Sequence, residues 1–456
     1  MNDLTKGPVA GHIRQLSAFI ALTTLFQTLY FLADLYFVGR LGKEAIAGVG
    51  LAGNLTMLVV ALTQSLGVGT TSLLSRAIGR KDVPEAERVL NQSLVLSSLT
   101  GVAFGLVGFA LRELYCRWLA ADETTARLGV AYLDWYVPAM AFQFPLVALS
   151  AALRGLGDMK VPTLIQVSTV FVNIVLAPVL IFGWGTDRPF GVAGAAMASC
   201  VAIAFGGIAV ALYFKRPGSP LRLHPHQWTP DPALWRRILA VGLPAGGEFV
   251  LMTFYLVFVY GIIRPFGAAA QAGFGIGVRV MQALFLPTVA VAFATAPVVG
   301  QNFGAGLGPR VRESFYAAAR MSVTIMVVLT VLCHVSPDAF VRFFNADAEV
   351  VAFGGEYLRI ISWNFVASGL VFVSASVFQG MGNTIPPLAS SAFRLLLFAI
   401  PATLLSRHPG FQMRHIWYLA VATVVVQLAF NLWLLHREFD VRLPPAPAAV
   451  PALEEA

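Results

Sequence analysis

The 456-residue chain is long enough for three soluble domains of about 150 residues each, yet only 12% of it is charged, against about 25% in an average soluble domain. With 57% apolar residues, 34 of all positions being Phe, it has too little polar surface to face water, which excludes a soluble enzyme and makes lipid its solvent. The net charge of +8 is scattered between apolar runs and gathers into no basic block, so it reads as loop charge and excludes a nucleic-acid partner.

In chain order, the N-terminal MNDLTKGPVAGHIRQLSAF has no short apolar stretch ending in a small-residue cleavage site, so the first span is expected to stay in place. A helix crossing ~30 Å of hydrocarbon takes about 20 mostly apolar residues. Twelve such windows begin near Ile13, Ala45, Val89, Leu128, Val161, Gly191, Ile238, Ala270, Val311, Phe353, Pro387 and His415. The long polar break from Lys215 to Arg237, rich in Pro and basic residues, divides them six and six. The expected layout is a first lobe over residues 1–214, a cytoplasmic linker over 215–237, a second lobe over 238–440 and a disordered tail over 441–456. Cys116, Cys200 and Cys333 are too few and too far apart for a disulfide framework or a metal motif.

The second half repeats the first at a fixed offset of 225 residues. Gly42 meets Gly267, Gly79 meets Gly304, Pro84 meets Pro309, Asp122 meets Asp347 and Tyr132 meets Tyr357. Arg154-Gly155-Leu156-Gly157-Asp158 meets Gln379-Gly380-Met381-Gly382-Asn383 in the same register. A shared offset over more than a hundred residues means duplication, and an even number of spans per copy gives a parallel repeat. The predicted fold is therefore an all-α membrane protein of twelve transmembrane helices in two six-helix lobes. Basic residues after span two (Arg76, Arg80, Lys81, Arg88) and in the linker place both termini in the cytoplasm.

Small-residue signatures end span two (GVGTTSLLSRAIGRKD, Gly67 to Asp82) and span eight (VAFATAPVVGQNFGAG, Val291 to Gly306). With DLYFVGRLG (Asp34 to Gly42), ALRGLGDMKVP (Ala152 to Pro162) and GVAGAAMAS (Gly191 to Ser199), the chain resembles the multidrug and toxic compound extrusion (MATE) family, nearest in pattern to its DinF-like and NorM-like bacterial members. The resemblance spans nearly the whole chain. It implies export of lipophilic, often cationic small molecules across the bacterial cytoplasmic (inner) membrane, driven by a proton or sodium gradient, by a monomer with no cofactor beyond that ion.

Asp34 is the most informative residue. A carboxylate some twenty residues into an apolar span is expensive unless neutralised, paired or facing water, which points to a proton or cation site; the resemblance implies a coupling carboxylate at this position too. The plainer alternative is a snorkelling or capping side chain near Arg40 and Lys43. Tyr30, one turn earlier, is placed to hydrogen-bond the Asp34 carboxyl group. In span five, Pro178 deprives the Ile174 carbonyl of its helical donor and predicts a kink one turn after Asn173. The resemblance to members with a cation site implies that Asn173 and Ser199 join that site. Where those members carry a second Asp this chain has Ala177, which favours a proton over sodium. Asn173 has an alternative as an interhelical hydrogen bond of ~0.6 kcal/mol.

In the second half, Glu248 and Arg279 are the candidate substrate-facing residues, with a structural ion pair as the plain alternative. No clustered carboxylates, His groups or activated nucleophiles suggest an enzyme or a resident metal. A channel would need polar rings repeated in both halves, and Asp34 falls opposite Val259. A lipid or lipid-linked flippase of a related superfamily is the runner-up. GFGIG (Gly273 to Gly277) reads as helix packing, and His224 and His226 as solvated linker residues.

Overall fold

The apolar runs fold as helices because in hydrocarbon each backbone N–H and C=O must find its partner within its own segment. In the computed structural model, which describes residues 3–185 and 187–443, the first half runs α1 (Val9–Gly39), α2 (Lys43–Gly50), α3 (Ala52–Gly79), α4 (Val83–Leu119), α5 (Glu123–Gly155), α6 (Lys160–Phe182) and α7 (Val192–Lys215). The second runs α8 (Pro232–Ile263), α9 (Ala268–Gly304), α10 (Gly308–Val335), α11 (Pro337–Arg342), α12 (Ala348–Ile361), α13 (Asn364–Met381), α14 (Ile385–Ser406) and α15 (Met413–Arg442). Among the described residues twelve spans are long and apolar enough to cross a membrane. Side chains such as Leu106, Trp118, Phe171, Val257 and Leu404 are more than half exposed, an apolar exterior that suits acyl chains rather than water. The tail expected over 441–456 lies outside the described residues from 444 onward; before that, α15 extends to Arg442.

The duplication reappears in backbone geometry. Gly42 and Gly267 precede the second helix of each copy at φ 112° and 91°, and Gly157 and Gly382 close a turn at φ 74° and 78°, a left-handed conformation in which a Cβ is penalised. Asp122 and Asp347 each cap a helix by accepting backbone N–H groups. A Cβ on Gly48 would meet the backbone of Gly129 at 3.0 Å, and one on Gly273 that of Gly354 at 3.0 Å. Two spans depart from the prediction. Span two breaks at Leu51, whose carbonyl accepts the Tyr115 hydroxyl at 2.6 Å. Span ten breaks between α12 and α13, where the Ser362 carbonyl accepts the Thr330 hydroxyl at 3.1 Å. In both, a side chain takes up the carbonyl that the break exposes.

The chain forms two compact units, one of Gln15–Ile78 and Asp82–Val250, the other of Asp3–Arg14, Gly79–Lys81 and the chain from Leu251 onward. The first unit thus takes in the expected linker at 215–237 and the start of α8. The linker and the first part of α8 belong with the first unit because α8 packs on α3 through glycine: a Cβ on Gly242 would sit 2.0 Å from the Ser65 carbonyl oxygen.

The linker is also no free tether. Asn91 and Gln92 of α4 are buried and clamp it. Asn91 accepts the His224 amide (2.9 Å) and the Trp228 indole (3.1 Å), while Gln92 accepts the Asp231 amide (3.1 Å) and the Trp235 indole (2.8 Å). Arg237 pairs with Glu85, Arg88 with Asp231, and His224 with Glu87. His224 is therefore held rather than solvated.

In the first unit the core gathers Leu74, Leu90, Phe144, Leu153 and Phe214 around α3, α4 and α5. A second cluster, including Val38, Tyr132, Ala177 and Ala195, surrounds the candidate site. The second unit's core is aromatic, with Phe274 stacked on Trp417 at 5.5 Å between ring centres.

Candidate functional site

Three helices of the first unit meet in a polar knot inside an otherwise apolar cluster. α1 supplies Tyr30 and Asp34, α6 supplies Asn173 and α7 supplies Ser199. The Tyr30 hydroxyl donates to Ser199 Oγ at 2.6 Å and Asn173 Nδ2 donates to the same oxygen at 3.3 Å. Asn173 and Ser199 are buried. Two oxygens in this group, Asp34 Oδ1 and Asn173 Oδ1, are buried without a hydrogen-bond partner. Both are acceptors, and a buried acceptor left unmatched marks a place that a proton or cation would satisfy.

The geometry corrects one expectation. Helical spacing places Tyr30 to hydrogen-bond Asp34, but its hydroxyl donates instead to Ser199 of α7. Asp34 is not a cap for the following basic residues either. Arg40 lies over the rings of Tyr36 and Phe182, and Lys43 pairs with Glu44.

Tyr132 and Tyr136, one turn apart on α5, pack with their rings tilted at 36° and 4.8 Å between centres, and Tyr136 shares a 3.4 Å hydrogen bond with Thr56 of α3. Sequence reasoning passed over both as functional residues. Their i, i+4 spacing on an apolar helix was the available signal. Pro178 is buried within α6, which continues to Phe182, and its missing N–H leaves the Ile174 carbonyl without a helical donor. Ala177, at the position of the absent second carboxylate, is fully buried against apolar neighbours. The donor set is thus one carboxylate with neutral oxygens, and no cluster of three or more His, Cys, Asp or Glu exists among the described residues.

Glu248 and Arg279 do not form the ion pair weighed above: neither belongs to an ion pair among the described residues. Glu248, on the part of α8 that packs with the first unit, has Oε1 buried without a partner. Arg279 on α9 is exposed.

The MatE family model matches residues 20–179 and again 244–405, two blocks whose ends are offset by 224 and 226 residues, in keeping with the internal repeat. The chain belongs to the MatE family. Among relatives, it is 24% identical over 423 residues to the probable multidrug resistance protein YoeA of Bacillus subtilis, covering 91% of both chains. It is 28% identical over 372 residues to the probable multidrug resistance protein NorM of Thermotoga maritima, covering 80% of this chain and 78% of that one. Among solved structures, it matches an outward-facing multidrug resistance MATE family transporter and a MOP superfamily transporter from Pyrococcus furiosus. Each has a TM-score of 0.88 and 24% identity, covering 96% of this chain and 98% of the other. The all-helical twelve-span fold is that of MatE proteins, and this MatE chain is an integral multi-pass membrane protein.

Proposed function

We propose that this MatE protein is a proton-coupled antiporter that exports lipophilic, often cationic small molecules across a bacterial cytoplasmic membrane, with both termini in the cytoplasm. The observation that carries the reading is Asp34: a half-buried carboxylate on an apolar helix, with an oxygen that no protein group satisfies, beside hydroxyls that are neutral hydrogen-bonding groups. A site with one ionisable oxygen suits a proton, which needs a single base, better than sodium, which favours several oxygen ligands. The names of the relatives, multidrug resistance proteins in Bacillus and Thermotoga, support drug export.

In this mechanism Asp34 takes up a proton when the site faces outward, which releases the substrate; loss of that proton to the cytoplasm readies the site for the next molecule. Tyr30 and Asn173, joined through Ser199, hold α1 against α6 and α7 while the charge on Asp34 changes. The missing helical bond at Pro178 makes α6 the compliant wall.

The deciding experiment uses proteoliposomes with a proton or a sodium gradient imposed separately and ethidium as the transported cation. A proton gradient alone is expected to drive movement, and Asp34→Asn is expected to abolish it while the purified variant keeps its elution profile and melting temperature. Movement driven by sodium alone would assign the other ion. Undiminished proton-driven transport by Asp34→Asn would falsify the role of Asp34.

A further inference from the structure

The repeat carries a second polar centre, of opposite sign, in the second unit. Tyr30, one turn before Asp34 on α1, and Tyr132 on α5 correspond at the 225-residue offset to Tyr255 and Tyr357. An arginine lies against the first of these. Arg394 of α14 lies with its guanidinium carbon 4.9 Å from the centre of the Tyr255 ring, and Tyr357 belongs to the apolar cluster against which Tyr255 packs. The Arg394 Nε is buried without a hydrogen-bond partner, and the side chain belongs to no ion pair among the described residues. Of the unit's carboxylates, Glu313 on α10, Asp338 on α11 and Glu349 and Glu356 on α12 form no ion pair with Arg394 among the described residues. α9, α13 and α14 contain no Asp or Glu. Glu438 and Asp440, near the end of α15, are engaged by Asn383 and Arg442 and by Arg312, respectively.

The substitutions between the copies show why the two centres differ. Asn173 and Ser199 correspond to Phe398 and Val424, and Thr169 to Arg394. In the first unit Tyr30 is bound by Ser199. In the second, Tyr255 packs on Phe398 at 4.9 Å between rings, leaving Arg394 as its polar neighbour. Further polar groups lie on the same two helices. Ser391, one turn before Arg394, receives a 3.4 Å hydrogen bond from Gln427 of α15, and Asn431, one turn beyond Gln427, is fully buried with both amide atoms unpartnered. A permanent cation held against an aromatic ring, with its own Nε unfilled and no ion-pair partner among the described residues, lacks an anion.

We propose that Arg394, set against the Tyr255 ring, binds the anionic group of an amphiphilic ligand, a carboxylate, sulfonate or phosphate whose apolar body lies against the aromatic core. The ligand class therefore extends beyond lipophilic cations to aromatic anions. This rests on the chain being an exporter only for the transport step, since binding stands without it. The anion comes from a soluble amphiphile or from a lipid headgroup, two sources that share this chemistry.

The test uses purified full-length protein and two xanthene dyes of matched shape and opposite charge, anionic fluorescein and cationic rhodamine, read by fluorescence polarisation. Wild type is expected to bind the anionic dye saturably. Arg394→Gln should weaken it at least tenfold relative to the cationic dye, and Arg394→Lys, which keeps the charge and loses the planar fork, should fall between. Displacement of the anionic dye by short-chain phosphatidylglycerol but not phosphatidylcholine assigns the lipid source, and displacement only by soluble aryl carboxylates assigns the other. Equal loss of both dyes in Arg394→Gln, or no loss of either in both variants, overturns the proposal. Asp34→Asn separates the two readings: it should leave anionic-dye binding intact in detergent, so a failure at Asp34 leaves Arg394 standing and the reverse.

Discussion

Ser199 occupies the centre of the first unit's polar knot because one oxygen accepts from two partners, Tyr30 on α1 and Asn173 on α6. A buried donor that loses its acceptor costs about 1–3 kcal/mol, whereas removing donor and acceptor together is nearly neutral. Ser199→Ala should therefore destabilise the protein by about 2 kcal/mol, more than Tyr30→Phe at about 1 kcal/mol. The double variant should fall short of the sum, since each change removes the same bond. Thermal melts of the four proteins in one detergent measure this cycle, and strictly additive losses would show that Tyr30 and Ser199 are not coupled. Asp34 was legible as a candidate from its place in an apolar span, and Asn173 from its position a turn before Pro178 and, with Ser199, from the family resemblance. The partner of Tyr30 was not, because a sequence reports which turn a side chain leaves from but not which neighbouring helix it crosses to. Tyr132 and Tyr136 escaped for a related reason: an aromatic pair on an apolar helix reads as packing until the carboxylate beside it is located.

At the scale of elements, glycine and carboxamide decide which helix belongs to which unit. A methyl group on Gly242 would overlap the Ser65 carbonyl oxygen at 2.0 Å, whereas nothing lies within 4 Å of one on Gly207. Forcing α8 from α3 carries an overpacking cost of about 1–3 kcal/mol. Gly242→Ala is thus expected to lower the melting temperature and Gly207→Ala to leave it within a degree or two. The linker gives a pH prediction. Asp231 caps α8, and its carboxyl is held below the ordinary carboxylate value chiefly by the Leu234 amide, against the opposing effect of burial, with the Arg88 guanidinium adding a lesser lowering. Because the folded-state value is the lower one, its contribution is complete above the ordinary carboxylate range and disappears as pH falls through the folded-state value. Glu85, Glu87, Arg237 and His224 share that surface and set the charge around it. A spin label at Pro217→Cys should stay immobile near neutrality and gain mobility only in acid, and Asp231→Asn should show that mobility at neutral pH. The sequence marked 215–237 as a boundary because Pro and charge interrupt the apolar pattern there. It did not disclose the clamp, since Asn91 and Gln92 look like ordinary polar residues at the start of a helix.

For the whole molecule, the repeat was the most legible feature, because duplicated glycines and caps must recur wherever the same turns recur. Gly42 with Gly267 and Asp122 with Asp347 do so in backbone conformation as well as in letter. The chemistry placed on that frame was much less legible. Asp34 and Arg394 stand at non-equivalent positions of the two copies, Asp34 one turn after Tyr30 and Arg394 against its repeat partner Tyr255, so one scaffold carries opposite charges. An even number of spans in each copy also fixes a membrane topology that can be read from outside the cell. With Cys116, Cys200 and Cys333 replaced by alanine, single cysteines at Arg80 and Pro217 should resist a membrane-impermeant maleimide in intact cells and react after permeabilisation. Those at Lys43 and Arg188 should react in intact cells. The direction follows from the basic residues around Arg80 and in the linker, since cytoplasmic loops retain Lys and Arg. Reversed labelling of all four sites would invert the protein and place the linker outside. Labelling of Arg80 and Pro217 from opposite faces would break the parallel repeat itself, because between the loop after span two and the linker after span six the chain crosses the membrane four times.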